Sequence, residues 1–419
     1  MFIFIIYYLF SPFISILLLI VSFFNKKIQI AIKTQPKTLY ELKTGLNTHK
    51  EKIIIHAASA GEYEQIKPVL RTIDKKKYFV IVTCMSSTIY HDIQKEKLID
   101  GYCYHPFDFP WSAKKFFKTI KPSVYMTTRH DIWPIHLYTA KKLNIKNIVI
   151  NTNLYGDSNR LKWYSKTFTK YVFNLFNVIV VPTKRIQDLF NSKLKINTTH
   201  LINDTRFEQI AYRKKHSHQI SKLESISNTN NMIFGSIAEP DLDTISTLIE
   251  KQKEMIKQIN HIIIVPHEID KVLINNIKAI VHRAKYSLIK LSDLKSNEII
   301  KDKFILIDKV GILPELYKYT KCAYVGGGFG QGVHSTIEPL IYDNITLYGP
   351  NIDLLDEAKE MNEKKCGFVF YNSTEAHQII EAAFNNNTFI MQTKKNIKKY
   401  IDKTEQSSLK ICNLIDSYV

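Results

Sequence analysis

The residues with the clearest chemical potential lie in one glycine-dense segment, residues 323–350 (AYVGGGFGQGVHSTIEPLIYDNITLYGP). Eight of the 13 glycines in the chain fall between residues 311 and 367. Glycine lets the backbone approach a ligand closely, and backbone amides at a helix start favour an anion. His334, Ser335 and Glu338 follow the glycines at a predicted helix start. The segment therefore predicts a site for a phosphorylated ligand.

Two familiar phosphate-binding motifs do not fit this segment. A G-x-G-x-x-G motif counted from Gly328 reaches Val333 instead of a third glycine, and counted from Gly326 it reaches Gln331. The Gly-Lys-Ser/Thr ending of a P-loop is missing from the segment as well. A plain tight turn is the alternative to a ligand site. The spacing of one helical turn between the histidine and the glutamate favours the ligand site.

A second candidate is Glu62, in the segment HAASAGEYEQIKP at residues 56–68. It lies at a predicted helix start, where the helix dipole favours an ionised carboxylate, and the same position suits a purely structural cap. The small residues 57–61 leave room for a substrate beside it. This favours a general base that accepts a proton from an attacking hydroxyl. His56, at the preceding strand end, is predicted to be a packed, hydrogen-bonded side chain rather than a catalytic one.

Metal-binding patterns are weak in this sequence. The five cysteines are scattered and contain no C-x-x-C, which argues against a zinc site or a disulfide framework and fits a reducing compartment. The D-x-D formed by Asp241 and Asp243 opens a predicted helix, and we interpret it as a cap rather than a metal clamp. We therefore predict no metal and no other cofactor.

The elements that must position these residues follow an α/β pattern. A chain of 419 residues is long enough for two domains, and short β-rich apolar runs alternate with helical stretches, which is typical of parallel sheets. We predict domains at residues 33–207 and 231–419, joined by a polar connection at 208–230. Two doubly wound domains of this kind hold ligands in a cleft at the carboxyl ends of their strands. The predicted strands are 52–56, 79–84, 123–127, 147–151, 178–182, 232–236, 262–266, 304–308, 322–326 and 345–348, and the first-domain helices start near 62, 87, 112, 133, 161 and 184.

The first 24 residues carry no charge and are predicted to form a membrane anchor. They are long enough to cross about 30 Å of hydrocarbon as a helix. A basic start and a small-residue cleavage site, which a signal peptide would show, do not appear. Lys26 and Lys27 after the segment place the body of the protein in the cytoplasm. Pro12 leaves open whether the segment crosses the bilayer or lies partly in the interface.

The net charge of +19 predicts an anionic partner. Lysine strongly outnumbers arginine, which favours a membrane surface over nucleic acid, and no nucleic-acid motif appears. The stretch 109–122 mixes aromatic residues with lysines and is predicted to lie against an anionic bilayer. A solvated lysine face over a buried aromatic stripe is the alternative. The residues predicted to form this lipid patch are Trp111, Lys114, Lys115, Phe116, Phe117 and Lys118.

An ordered set of short motifs connects these observations. They are S-A-G-E at 59–62, D-I-W-P at 131–134, N-D-T-R-F at 203–207, G-S at 235–236, V-P-H-E at 265–268 and GGGFGQGVHSTIEP at 326–339. Single motifs are weakly specific. Their order and spacing through about residue 370 resemble the family of 3-deoxy-D-manno-octulosonic acid (Kdo) transferases.

The resemblance implies a GT-B glycosyltransferase with two Rossmann-like domains facing a cleft and a single anchor on the cytoplasmic side of the inner membrane. It further implies metal-independent, inverting transfer of Kdo from CMP-Kdo to a lipid A precursor in lipopolysaccharide biosynthesis. Glu62 matches the general base, and Glu338 the partner of the ribose hydroxyls. The donor residues that the resemblance and the glycine segment indicate are Ser236, His267, Glu268, Gly311, Gly327, Gly328, His334, Ser335 and Glu338. The acceptor residues are Ser59, Gly61, Asp131 and Arg206.

The sequence also departs from the family pattern. Arg129 and His130 replace the first two residues of the usual E-T-E, so only Asp131 keeps an acid. Other departures are Asn153 for arginine, Asn203 for glycine and Ser335 for asparagine. Two alternatives therefore stay open: a GT-B transferase that uses another nucleotide sugar, and a non-catalytic nucleotide-sugar-binding membrane protein. Arg206 is equally consistent with binding an acidic sugar and with pairing to a nearby acid.

Overall fold

A computed structural model describes residues 2–216, 219–296, 298–403 and 406–419. The chain divides into two compact units, Met1–Gln209 with Gln406–Val419, and Ile210–Glu405. Met1 of the predicted anchor, Ser217 and His218 of the predicted connection, and Asn297, Thr404 and Glu405 of the predicted second domain lie outside the described residues.

The first unit is built on a parallel sheet. Its strands are β1 (Glu51–His56), β2 (Tyr78–Cys84), β3 (Gly101–Tyr104), β4 (Val124–Thr128), β5 (Lys146–Ile150), β6 (Val178–Val181) and β7 (Thr199–Leu201). Its helices are α1 (Phe2–Ser22), α2 (Lys26–Lys43), α3 (Ala60–Thr72), α4 (Ser87–Gln94), α5 (Pro110–Ile120), α6 (Pro134–Lys142), α7 (Lys166–Phe173), α8 (Lys184–Leu189) and α18 (Ser407–Tyr418). Helix α9 (Arg206–His216) runs across the boundary between the units.

The strand order in this sheet is β3-β2-β1-β4-β5-β6-β7. The central register places Ile54 of β1 beside Ile81 of β2 and Tyr125 of β4, and all three side chains are buried. Helices on both faces of a parallel sheet require such continuous apolar strands. The five predicted strands of this half are confirmed. The edge strands β3 and β7 were missed because each has only three or four residues.

The second unit repeats the architecture. Its strands are β8 (Met232–Ile237), β9 (Ile262–Pro266), β10 (Leu288–Lys290), β11 (Phe304–Leu306), β12 (Cys322–Val325), β13 (Ile345–Tyr348) and β14 (Gly367–Val369). Its helices are α10 (Leu242–Lys251), α11 (Lys253–Gln258), α12 (Lys271–Arg283), α13 (Leu313–Leu316), α14 (Ile337–Ile341), α15 (Asp356–Glu363), α16 (Ser373–Asn385) and α17 (Asn387–Asp402). All strand pairs are parallel, in the order β10-β11-β9-β8-β12-β13-β14.

Two predicted boundaries differ from the structure. The predicted second domain ended at residue 419, but Ile411 and Ile415 of α18 are buried in the core of the first unit. The predicted connection 208–230 holds the end of α9 and a 3₁₀ turn, Ser221–Ile226, whose Leu223 and Ile226 are buried. Apolar stripes on short helices do not reveal which core they join, so the sequence pattern could not place them.

Candidate functional site

The candidate site of the first unit lies where the order of successive strands across the parallel sheet reverses. β2 and β3 extend from one side of β1, and β4 to β7 from the other, so the switch point is between β1 and β4. Ligands bind outside the carboxyl ends of strands at such points. Glu62 lies in the first turn of the helix after β1, and Asp131 follows β4. The topology therefore brings the predicted base and one predicted acceptor residue to the same edge.

Glu62 is a structural cap as well as a candidate base. Its Oε2 accepts hydrogen bonds from the backbone amides of Ala58 at 3.0 Å and Ser59 at 2.9 Å. Its own amide donates to Ser59 Oγ at 3.3 Å, which completes a capping box. Among the described residues, Oε1 of Glu62 has no hydrogen-bond partner. One oxygen therefore orients the carboxylate, and the other is available to an incoming hydroxyl.

The surroundings of Glu62 make it a better proton acceptor. Partial burial raises the pKa of its carboxyl group, and the negative charge of Asp131 raises it further. Hydrogen bonds from Ser59 and the imidazole of His56 act in the opposite direction and are weaker. A raised pKa moves a carboxylate toward the range in which a general base works efficiently.

His56 connects Asp131 to the sheet. Its Nδ1 lies 2.9 Å from the hydroxyl oxygen and 3.1 Å from the carbonyl oxygen of Thr83. Its Nε2 lies 2.5 Å from Asp131 Oδ2, although the two atoms are not aligned for a hydrogen bond. The side chain is fully buried. The prediction that His56 is packed and hydrogen-bonded is confirmed, and the structure adds its contact with Asp131.

Behind His56, buried aromatic rings form a column that the sequence did not reveal. His105 lies 4.1 Å from His56 and 4.4 Å from His136, measured between ring centroids. Burial holds the pKa of His105 well below its usual value, and the two flanking histidines lower it further. His136 Nδ1 lies 2.7 Å from Asp108 Oδ1. His105 follows the missed strand β3, so no spacing in the sequence placed it here.

The remaining acceptor candidates have different surroundings. Ser59 and Gly61 are exposed beside Glu62, as an acceptor-facing position requires. Arg206 pairs with Asp204, with 3.0 Å between Nε and Oδ2. The ion-pairing interpretation of Arg206 is therefore observed, and its role toward an acceptor stays a prediction.

Arg160 is a residue near this edge whose role the sequence did not indicate. Its Nη2 donates to the backbone oxygen of His130 at 3.1 Å, and its Nη1 has no partner among the described residues. Burial lowers the pKa of the guanidinium. It lines a hollow of about 260 Å³ with Ile132, Tyr164 and Phe168. A half-buried cation beside an apolar hollow suits a ligand that carries both an anionic and an apolar group.

The structure divides the residues of the predicted lipid patch into exposed and buried ones. Trp111 is 48% exposed, and Lys114, Lys115 and Lys118 are exposed too. Phe116 and Phe117 are buried in the core beneath α5, at 0% and 1% exposure. Those two phenylalanines were predicted wrongly as lipid contacts, because the apolar stripe of an amphipathic helix faces the protein interior.

In the second unit, the glycine turn follows β12 beside the end of β8. Gly327 has a φ of +88°, and a Cβ there would lie 2.5 Å from the carbonyl oxygen of Gly332. Only glycine fits that position. The amide of Gly327 donates to Asp241 Oδ2 at 2.9 Å, and Asp241 also accepts from Tyr324 and Ala238. Asp241 therefore caps the 3₁₀ turn Glu239–Asp241, not the helix α10 that it was predicted to cap, and holds the glycine turn in place.

This arrangement corrects two expectations about the anion site. The Gly327 amide was predicted to face an anion, but it is used by Asp241 because a fully buried carboxyl group needs donors. The helix predicted to begin at His334 is only Ile337–Ile341. His334 and Glu338 therefore do not share one helical turn, and the dipole of so short a helix adds little.

The main feature of the predicted anion site is a pair of stacked histidines and not a helix start. The rings of His267, after β9, and His334 lie 4.1 Å apart with 13° between their planes. Burial lowers the pKa of His334, His267 lowers it further, and Asp241 opposes the shift. His334 is therefore mainly a neutral imidazole at pH 7, able to donate one N–H to a phosphate oxygen.

The other donor candidates lie around the same strand ends. Ser236 closes β8 with a φ of +53°, and Gly328 is buried in the glycine turn. Burial raises the pKa of Tyr317, and the charge of Glu338 raises it further, which shows that these two groups are close. Glu268, Gly311 and Ser335 lie in loops, and among the described residues no hydrogen bond or ion pair joins them to the histidine pair.

Comparisons with known proteins give a consistent result. Residues 33–209 match the family model described as 3-Deoxy-D-manno-octulosonic-acid transferase (kdotransferase). A 3-deoxy-D-manno-octulosonic acid transferase of Aquifex aeolicus is 25% identical over 80% of this chain and 86% of its own length. A bifunctional glycosyltransferase/methyltransferase of Fusobacterium nucleatum is 25% identical over 80% of this chain, which spans about half of that protein, 53%.

The fold has relatives among solved structures as well. A glycosyltransferase of Rickettsia africae superposes with a TM-score of 0.62 over 88% of this chain and 98% of its own. The identity is 14%, so this likeness concerns the fold alone.

Among the described residues, no group of three His, Cys, Asp or Glu side chains is arranged to hold a metal ion.

Proposed function

We propose that this chain, whose two Rossmann-like units are of the GT-B kind, is a glycosyltransferase of the Kdo transferase family and transfers Kdo from CMP-Kdo to a lipid A precursor. The observation that carries the proposal is the geometry of Glu62. Its Oε2 is fixed by two backbone amides, and its Oε1 has no hydrogen-bond partner among the described residues. It lies at the edge of the sheet where a ligand is expected.

The proposed reaction is a single displacement. The hydroxyl oxygen of the acceptor forms a bond to the anomeric carbon of Kdo, and its proton passes to Glu62 Oε1. The bond from that carbon to the phosphate oxygen of CMP breaks, and CMP leaves with the electron pair. Attack opposite to the leaving group inverts the anomeric configuration. The proposal needs no metal, because a monophosphate carries less charge than a diphosphate leaving group.

The second unit is proposed to bind CMP. The exposed end of the His267 and His334 pair suits the phosphate, since a neutral imidazole donates without a prior proton transfer. Glu338, placed close to Tyr317, suits the ribose hydroxyls as a carboxylate acceptor. Gly327 and Gly328 allow the turn beside this site to pack tightly, since a Cβ there would meet the backbone of Gly332 or Gly349.

Membrane association is part of the proposal. α1 is the one described helix long and apolar enough to cross a membrane, over Phe4–Ser22. We propose that the protein is held at the cytoplasmic side of the inner membrane, where a lipid acceptor is presented. The exposed lysines of α5 would meet anionic lipid groups there.

The test is product analysis with the full chain in detergent. Incubation with CMP-Kdo and a tetraacylated lipid A precursor should give a lipid heavier by one or more Kdo units in the mass spectrum. Stabilisation by CMP but not by UDP or GDP in thermal unfolding should accompany it. Binding of UDP or GDP in preference to CMP would favour a transferase for another nucleotide sugar. CMP binding without any product, beside an active related enzyme as control, would favour the non-catalytic alternative.

A further inference from the structure

The N-terminal helix α1 is packed along the first unit for most of its length. Phe4 is 4% exposed and lies 5.0 Å from Tyr138 and 5.2 Å from Tyr171, measured between ring centroids. Tyr7 donates to Asp108 Oδ2 at 3.2 Å. These contacts fix the N-terminal end of the helix to the body of the first unit.

The same face of α1 continues further along the helix. Ser11 is fully buried, and Ser15 and Leu18 line a groove shared with α2 and residues 106–115. Residues at positions 4, 7, 11, 15 and 18 follow the spacing of one helical face. From Phe4 to Leu18 this face covers about 21 Å at 1.5 Å per residue.

The opposite face of α1 is open and entirely apolar. It presents large exposed side chains, which are Leu9, Phe10, Phe13, Ile16, Leu17 and Ile20, and the exposed Phe23 and Phe24 follow directly after the helix. A contiguous apolar surface of this size indicates contact with lipid or protein. The absence of charge along the described helix indicates lipid hydrocarbon.

A helix that crossed the bilayer would carry the first unit into it. The ammonium group of Lys142 lies 5.6 Å from the ring centroid of Tyr138, which packs on Phe4, so a charge sits beside the N-terminal end of α1. Lys115 lines the groove near the other end. The stretch of α1 from Phe4 to Leu18 is about 21 Å long, shorter than the about 30 Å of bilayer hydrocarbon, so a crossing helix could not keep both lysines at the headgroups. A helix that lies along the leaflet keeps both ammonium groups at the lipid headgroups.

The groove beside α1 has the form of a site for a hydrocarbon chain. It has a volume of about 410 Å³ and is lined mainly by apolar side chains. Leu18, Leu39 and Phe109 are among them. The half-exposed Trp111 and Lys115 also line it, as an aromatic and a cation do at a membrane interface.

We propose that α1 lies in one leaflet, packed on the first unit, and that the groove between α1, α2 and α5 receives an acyl chain of an anionic lipid of that leaflet. This inference rests on the membrane association within the proposed function and goes beyond it. The lipid phosphate would meet Lys115, and the open face of α1 would meet the surrounding acyl chains.

The first experiment locates the N-terminus. The full chain with a hydrophilic tag carrying one cysteine before Met1 is reconstituted in sealed phosphatidylcholine and phosphatidylglycerol vesicles. The five native cysteines are buried, so a membrane-impermeant maleimide reports on the tag alone. A second protein carries Tyr371→Cys instead, at a 68% exposed position that marks the side of the second unit. The tag and the marker should label to the same extent without detergent. Labelling of the tag only after detergent, with the marker labelled before, would overturn the inference.

The second experiment tests the groove. Phosphatidylglycerol with a photoreactive group in one acyl chain should crosslink to residues 15–39 and 106–115. Ser15→Trp fills the groove and should lower this crosslinking at least threefold, whereas Ile16→Trp on the open face should leave it unchanged. Crosslinks that avoid these segments in the unchanged chain would refute the groove without relying on a variant. Failure of the protein to sediment with vesicles would refute the membrane association itself, while activity in detergent would still test the proposed transfer.

Discussion

Glu62→Gln distinguishes a catalytic carboxylate from a helix cap. The capping box uses Oε2 of Glu62 as acceptor for the amides of Ala58 and Ser59. A glutamine side chain keeps a carbonyl oxygen for these amides but cannot take a proton at neutral pH. The substitution therefore leaves the cap and removes the base.

The expected magnitudes differ enough to separate the two roles. Removing a general base lowers turnover by about 100-fold or more, which corresponds to about 2.7 kcal/mol of activation barrier. The loss of free energy of unfolding should stay below about 1 kcal/mol, because both amides keep an acceptor. Ser59→Ala is the matched control. It removes the acceptor of the Glu62 amide and should cost about 1 kcal/mol of stability while the carboxylate remains.

The assay measures the rate of Kdo transfer to the lipid precursor under saturating donor, with denaturant unfolding of each variant beside it. The reasoning would be refuted if Glu62→Gln kept more than about a tenth of the turnover at unchanged stability, since a base contributes at least about 100-fold. Glu62 would then be a cap only. A parallel loss of rate and stability in Ser59→Ala would show that the helix start itself limits activity.

Three further predictions follow from the same geometry. Turnover should fall as the pH drops through the pKa of Glu62, which lies above its usual value of 4.5, and Asp131→Asn should move this acidic limb to lower pH because it removes a nearby negative charge. Asp241→Ala leaves three donors without this partner, two of them buried, so it should lower the free energy of unfolding by about 3 kcal/mol and weaken CMP binding in calorimetry. Phe116→Ala should cost about 3–5 kcal/mol of stability as a core truncation, whereas Trp111→Ala should change stability by less than about 0.5 kcal/mol and reduce vesicle binding in sedimentation.

The strands with long apolar runs were predictable because their burial on both faces needs no knowledge of neighbours. The strand with Ile54 is one example, because its three consecutive isoleucines are fully buried in the centre of the sheet. The short edge strands carry too few residues for such a signal. The C-terminal helix was assigned to the wrong domain, since its apolar stripe fits either core.

For the glycine turn, too, the sequence predicted one feature and could not predict another. Its glycines predicted close backbone approach, and the clash that a Cβ would make at Gly327 agrees with that prediction. The partner of the Gly327 amide could not be predicted, because Asp241 lies 86 residues away in the chain. The stacking of His267 on His334 joins the ends of two different strands and leaves no local trace.

By itself the sequence determined two parallel-sheet units, a carboxylate at a helix start, a glycine turn and an apolar first helix, because each depends on local composition and period. Tertiary structure alone decided that Asp131 raises the pKa of Glu62, that His105 joins a buried column, and that α1 packs along the first unit. Those contacts depend on strand order and helix docking, which bring together residues far apart in the chain. Electrostatic and packing energies act over a few ångströms of space, and distance along the sequence does not report that separation.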